Sequence, residues 1–152
     1  MPKLAILFGA ILVPKAVRAE LSRRRKTKDR LRALQRDYEF VISCDQYDQG
    51  AVDFLLVEKI RMGKKDRGET EAVVQAATKG AAVLIDDRRG RRLAEQYALA
   101  CHGTLWILEQ LQLMELLPQT LRECVVDIKS RGIRLPHKET NELLKRFAQD
   151  PL

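Results

Sequence analysis

The stretch Gly68-Glu69-Thr70-Glu71-Ala72-Val73-Val74-Gln75-Ala76-Ala77-Thr78-Lys79-Gly80-Ala81-Ala82-Val83-Leu84-Ile85-Asp86-Asp87, continued by Arg88 to Ile107 (RRGRRLAEQYALACHGTLWI), decides the reading of the chain. Ala72, Val73, Ala76 and Ala77 recur at helical spacing and predict one apolar face of a helix. Gly80 stands where a left-handed cap would end it. Ala81 to Ile85 is an apolar run without polar alternation, as expected of a buried parallel strand. Asp86 and Asp87 follow, then a basic helical pattern over Arg88–Tyr97, a short strand at Leu99–Cys101 and another apolar helix. Helices alternating with short strands predict an α/β fold with a parallel sheet.

Ligands of such sheets sit beyond the carboxyl ends of the strands. Asp86 and Asp87 fall at that end, and Glu69, opening the preceding helix, falls at the same rim. Carboxylates gathered there suit a hard divalent cation. Each also has a structural reading: Asp before a helix is a common N-cap, and Glu in a first turn complements the helix dipole.

Outward from this stretch, Val13-Pro14 introduces a helix from Pro14 to Leu21 with Val17 and Leu21 inward and Glu20 on a neighbouring face. Between Lys15 and Arg36 basic residues are dense, including Arg18, Arg23, Arg24, Arg25 and Lys26, with Ser22–Lys28 expected as a loop or loose helix. Such a run either neutralises the phosphates of RNA or DNA or simply solubilises a face; no aromatic residues interleave to stack on bases. Tyr38–Ser43 reads as a strand and Val52–Ile60 as a helix, with a basic connector at Met62–Arg67. Leu105–Leu117, a helix begun at Pro118 and ended at Gly132, and a last helix bearing Leu143, Leu144 and Phe147 complete the chain.

At 152 residues the chain is expected to form a single domain, residues 1–152. Its formal charge of +7 favours polyanionic partners without proving them. Cys44, Cys101 and Cys124 are odd in number and unpaired by spacing, which points to buried thiols of a reducing, cytoplasmic setting. No apolar run reaches the ~20 residues of a membrane span, so no membrane partner is expected. The apolar start lacks the basic cluster and cleavage site of a signal peptide.

Several pieces in order resemble one family. Val13-Pro14-Lys15-Ala16-Val17-Arg18-Ala19-Glu20-Leu21, Gly68-Glu69-Thr70-Glu71-Ala72-Val73, Leu84-Ile85-Asp86-Asp87-Arg88-Arg89-Gly90-Arg91, His102-Gly103-Thr104-Leu105 and Gly132-Ile133-Arg134-Leu135 are similar to the motifs of PIN-domain-like proteins. The match runs from about Leu7 to Phe147 and is nearest to a little-characterised prokaryotic branch often found beside small antitoxin-like partners. The resemblance implies helices about a central parallel sheet and a Mg²⁺- or Mn²⁺-dependent ribonuclease, a toxin–antitoxin-type hydrolase. Carried over by motif, Glu20, Glu69 and Asp87 take the catalytic and metal roles, with Asp86 as a further metal ligand. Arg23, Arg24, Arg25, Lys26, Arg88 and Arg91 are the expected nucleic-acid contacts.

One departure bears on fold and site together. The family opens with a strand ending in an aspartate, central in its sheet, and no aspartate occurs here before Asp29. Either Leu4–Phe8 or a neighbouring chain pairing with the exposed edge would fill that place; a shortened chain or a mis-assigned start codon explains it more simply. Besides an active ribonuclease, two alternatives therefore stand: a degenerate relative that binds nucleic acid without cutting it, and an interaction module that dimerises through an exposed sheet edge.

Overall fold

The computed structural model describes residues 3–23, 25–57 and 66–152. The chain divides into two compact units, residues 1–102 and 103–152.

The first unit runs α1 (Lys3–Phe8), β1 (Ile11–Val13), α2 (Lys15–Ser22), α3 (Arg25–Asp37), β2 (Val41–Ser43), α4 (Gln49–Val57), α5 (Arg67–Lys79), β3 (Val83–Leu84), α6 (Arg88–Gln96) and β4 (Cys101–His102). Its strands are short and all pair in parallel. Ile11, Leu12 and Val13 of β1 stand opposite Val41, Ile42 and Ser43 of β2. Val83 and Leu84 of β3 stand opposite Cys101 and His102 of β4. The parallel α/β architecture is the expected one, drawn among the described residues as two separate two-stranded sheets. Leu4–Phe8 does not supply a strand. It lies in helix α1, and Gly9, with φ +64°, turns the chain out of that helix into β1.

Helix α5 is the axis of this unit, packing against α2, α4, α6 and β3. The sequence predicts one apolar stripe on it; the structure buries far more of its circumference. Val73, Val74 and Ala76 are buried together with the polar Thr70, Glu71 and Gln75, whereas Ala77 is exposed. The buried polar groups are satisfied: Thr70 donates to the Asp66 carbonyl (2.9 Å) and Gln75 to the Cys44 carbonyl (2.7 Å). The helix ends at Gly80, in the left-handed conformation at φ +62°, as its position implies. Val73, Val74 and Ala76 join Val52 and Leu55 of α4, Val83 and Ile85 around β3, and Leu93 and Ala94 of α6 in one core.

The Ala81–Ile85 segment departs from the fully buried reading. Val83 and Ile85 are buried, while Ala81, Ala82 and Leu84 are exposed. The alternation arises because the second face of β3 carries no packed helix: with β1, Phe8 and the Ala72–Ala76 side of α5 it lines an apolar hollow of about 240 Å³. The Tyr38–Ser43 strand shortens to its last three residues, and Leu99–Cys101 shifts to Cys101–His102. Of the two readings of Ser22–Lys28, a loop or a loose helix, Arg25 to Lys28 take the helical one, in α3. The helix expected to Ile60 is seen to Val57; Ile60 and Met62–Lys65 of the basic connector lie outside the described residues.

The second unit holds α7 (Thr104–Leu113), α8 (Leu121–Ser130) and α9 (His137–Arg146). Leu108, Leu121, Cys124, Val125, Leu135, Leu143 and Leu144 form its core, with Phe147 and Ile128 packed alongside. Helix α8 is capped by Thr120 and begins at Leu121, not at Pro118. Thr120 accepts from the Glu123 N–H (3.3 Å) while Glu123 accepts from the Thr120 N–H (2.9 Å), a reciprocal capping box.

Candidate metal and nucleic-acid site

Three of the four acidic residues singled out from sequence converge in the first unit. Glu69 sits in the first turn of α5 with its side chain partly buried. Its Oε2 is buried and receives no hydrogen bond, the only such side-chain atom among the described residues. Burial pushes its carboxyl above the usual range; a hydrogen bond from its own backbone N–H opposes this, and the negative charges of Glu20, Asp87 and Asp66 add to it. A half-buried carboxylate facing three like charges is costly unless it is protonated or meets a cation.

Of the two glycines beside this group, only Gly90 stands where the packing leaves no room for a side chain. Gly68 lies against Glu20, where an added Cβ would stand 3.5 Å from its Oε2. Gly90 lets α6 approach α5: a Cβ there would come within 2.8 Å of Ile85 Cγ2 and 3.1 Å of both Glu69 Cβ and Cγ. Gly90 is thus required for contact, not for backbone freedom.

Asp87 fulfils its structural reading. It caps α6, its Oδ2 accepting from the N–H groups of Arg89 (2.7 Å) and Gly90 (3.2 Å). The cap also fixes the side chain at the mouth of the β3–α6 turn, where it acts electrostatically on Glu69. Asp86 faces Arg91 at 3.9 Å and acts electrostatically on Cys101.

Asp66 is a further carboxylate beside Glu69. Its side chain is only 13% exposed, pairs with Arg89 at 3.1 Å, and lies close enough to act on Glu69. Nothing in the spacing of a basic connector marked it; an aspartate three residues before Glu69 on a helix start was the available signal. Glu71 is the second residue missed. It is 2% exposed and accepts from the Ala16 N–H (2.6 Å) and Arg67 Nε (2.9 Å), while Tyr47 is hydrogen-bonded to it. It anchors α2 to α5 and is not available to a ligand.

The donor chemistry of Glu20, Glu69, Asp87 and Asp66, all carboxylates with one buried oxygen unpartnered, fits a hard divalent cation. The fit is of composition, not of a closed ligand sphere: among the described residues no three Asp, Glu, His or Cys side chains are gathered closely enough to hold a metal ion.

The basic residues divide into two kinds. Arg18 is structural, donating from Nη1 to the Val13 carbonyl (2.7 Å) and from Nη2 to Asp45 (2.7 Å). Arg23, Arg25, Lys26 and Arg88 are exposed, Arg25 only 4.0 Å from Asp29, and Arg91 faces Asp86. Arg24 lies outside the described residues.

No described helix is long and apolar enough to cross a membrane. Comparison with curated proteins and with solved structures gives no match. A family described as the PIN domain matches residues 2–149 and so runs through both units, and with the parallel α/β fold and the carboxylates drawn to one rim in place, the chain belongs to the PIN-domain family.

Proposed function

We propose that this chain is a divalent-metal-dependent ribonuclease acting as one domain, with Glu69, Glu20 and Asp87 around the cation and Asp66 beside them. PIN domains have a nuclease-type fold, generally use divalent metal ions and generally bind nucleic acids. The observation that carries the reading is Glu69 Oε2, buried and without a protein partner amid three other carboxylates. A Mg²⁺ or Mn²⁺ ion there would polarise a scissile phosphodiester and lower the pKa of an attacking water. Glu69 is the natural inner ligand, since it is the group whose charge is most in need of compensation. Asp87 is held by its cap, so it would meet the ion without reorganising. Glu20 comes from a different helix and would close the site from the α2 side. The toxin role and a small antitoxin-like partner rest on the family resemblance alone.

Purified protein incubated with single-stranded RNA tests the reading. Cleavage is expected with Mn²⁺ or Mg²⁺, none with chelator, and none by Asp87→Ala. RNA left intact under all conditions, together with salt-dependent binding, would leave the degenerate, non-cutting relative.

A second reading has its own observation. The hollow between β1 and β3 is apolar and flanked by two strand edges, and an edge strand is a template for pairing. On this reading the chain dimerises through that edge. Sedimentation at micromolar concentration giving a monomer removes it.

A further inference from the structure

The face of α2 that carries Glu20 borders a second cleft, of about 370 Å³, whose walls include Lys15, Ala16, Ala19, Glu20, Arg23 and Arg67. Three cations therefore line it. Arg67 is fixed in place by Glu71 Oε1 (2.9 Å) and by Asp53 (3.5 Å), yet its side chain remains 43% exposed. Lys15 is exposed and makes no ion pair with an acidic side chain among the described residues; Asp45 accepts from its backbone N–H and feels its charge. Arg23 is exposed and likewise unpaired among them. Glu71, the other carboxylate of the cleft, is ion-paired with Arg67 and also accepts from Tyr47 and the Ala16 N–H. Lys15, Ala19 and Arg23 are spaced four residues apart, so they follow one side of α2, and Ala16 and Ala19 put no bulk between the cations.

We infer that this cleft seats a phosphate of a single-stranded RNA backbone next to the cleavage site, held by Lys15 and Arg23 with Arg67 as a fixed back wall. The inference rests on the ribonuclease reading and adds the direction from which the strand arrives. Glu20 belongs both to the cleft and to the acidic group around Glu69. A strand whose phosphate sits between Lys15 and Arg23 thus presents a neighbouring phosphodiester to the carboxylates. A cationic subsite beside an anionic one also removes the repulsion an RNA backbone would meet at Glu20, Glu69 and Asp87 alone. The exposed Arg25 and Lys26 on α3 lie outside the cleft lining and contribute steering only.

The test is binding of a labelled single-stranded RNA, by anisotropy in chelator, against salt concentration. Lys15→Gln and Arg23→Gln change exposed side chains, and an unshifted Tm confirms their fold. Each is expected to weaken binding about five-fold at 0.1 M salt and to lower the log–log salt slope by about 0.7. Lys129→Gln, an exposed charge on α8, should change the affinity less than two-fold. Equal effects of all three substitutions, or no RNA binding by the unaltered chain, overturn the subsite. Binding that depends on Lys15 and Arg23 without metal-dependent cleavage upholds the subsite while the ribonuclease reading fails. Cleavage with an affinity indifferent to both residues does the reverse.

Discussion

The Glu71 carboxylate sits at the N-terminus of α2, accepting from the Ala16 N–H at 2.6 Å across fifty-five residues of sequence. Helix α2 has no capping side chain of its own, since Pro14 precedes it. A carboxylate there satisfies an orphan N–H and meets the positive end of the helix dipole. The same carboxylate accepts from Arg67, so one buried group joins α2, α5 and, through Tyr47, the loop before α4.

Glu71→Ala should therefore destabilise by about 3 kcal/mol, because it strands the Ala16 N–H and leaves Arg67 and Tyr47 without their acceptor. Glu71→Gln keeps the shape and should cost less. Urea unfolding midpoints of the two variants check this ordering.

Glu69 sets a pH dependence. Its folded-state pKa lies above the ordinary carboxylate value through burial and neighbouring charge. The folded state therefore holds the proton more tightly than the unfolded one, and this contribution to stability is full below the unfolded pKa. It is lost as pH rises through the elevated folded value. Glu69→Gln should raise Tm at pH 7 and change it little at pH 4. Mn²⁺ should raise the Tm of the parent at pH 7 and leave that of Glu69→Gln nearly unmoved, measured by thermal melts.

Gly68 and Gly90 should respond oppositely to the same added methyl. Gly90→Ala meets Ile85 closer than ordinary Cβ atoms approach, and Glu69 at a tight 3.1 Å, and should cost about 1–3 kcal/mol while weakening the Mn²⁺ response. At Gly68 the neighbours stand at ordinary contact distance, and removing a helical glycine should stabilise by up to about 1 kcal/mol. Differential scanning calorimetry of both variants separates them.

Asp87 has two roles that substitution can part. Asp87→Ala loses the α6 cap and should cost about 1 kcal/mol. Asp87→Asn or Asp87→Ser retains a capping oxygen and should keep the melting temperature, yet lose the carboxylate and with it metal-dependent RNA cleavage. Unimpaired cleavage by Asp87→Asn would show that the residue is a cap alone.

The order of helices and strands was legible because each element announces itself locally: the Gly80 stop, the Ala81–Ile85 run and the apolar stripe after Leu105 need no distant partner to be read. Errors gathered where the second partner was unknown. Ala81 to Ile85 looks like a doubly buried strand in sequence, and burial on its second face depends on whether another element covers it; here a hollow lies there instead, and Ala81, Ala82 and Leu84 are exposed. Leu4–Phe8 is apolar enough for a strand or a helix, and periodicity cannot decide over so few residues.

The acidic residues show the same division. The rim of a parallel sheet, and hence Glu69 and Asp87, followed from chain order and from the geometry of crossover helices. The sequence by itself determined the α/β class, the basic character and the family. Only the tertiary structure shows that Asp66 acts on Glu69 beside Glu20 and Asp87, and that Glu71 is a buried tie between α2 and α5. The reason is physical. Side-chain type and backbone periodicity are local properties, but the free energy of a carboxylate is set by the charges and donors brought within a few ångströms of it. Helix packing makes those neighbours, and no spacing along the chain records them.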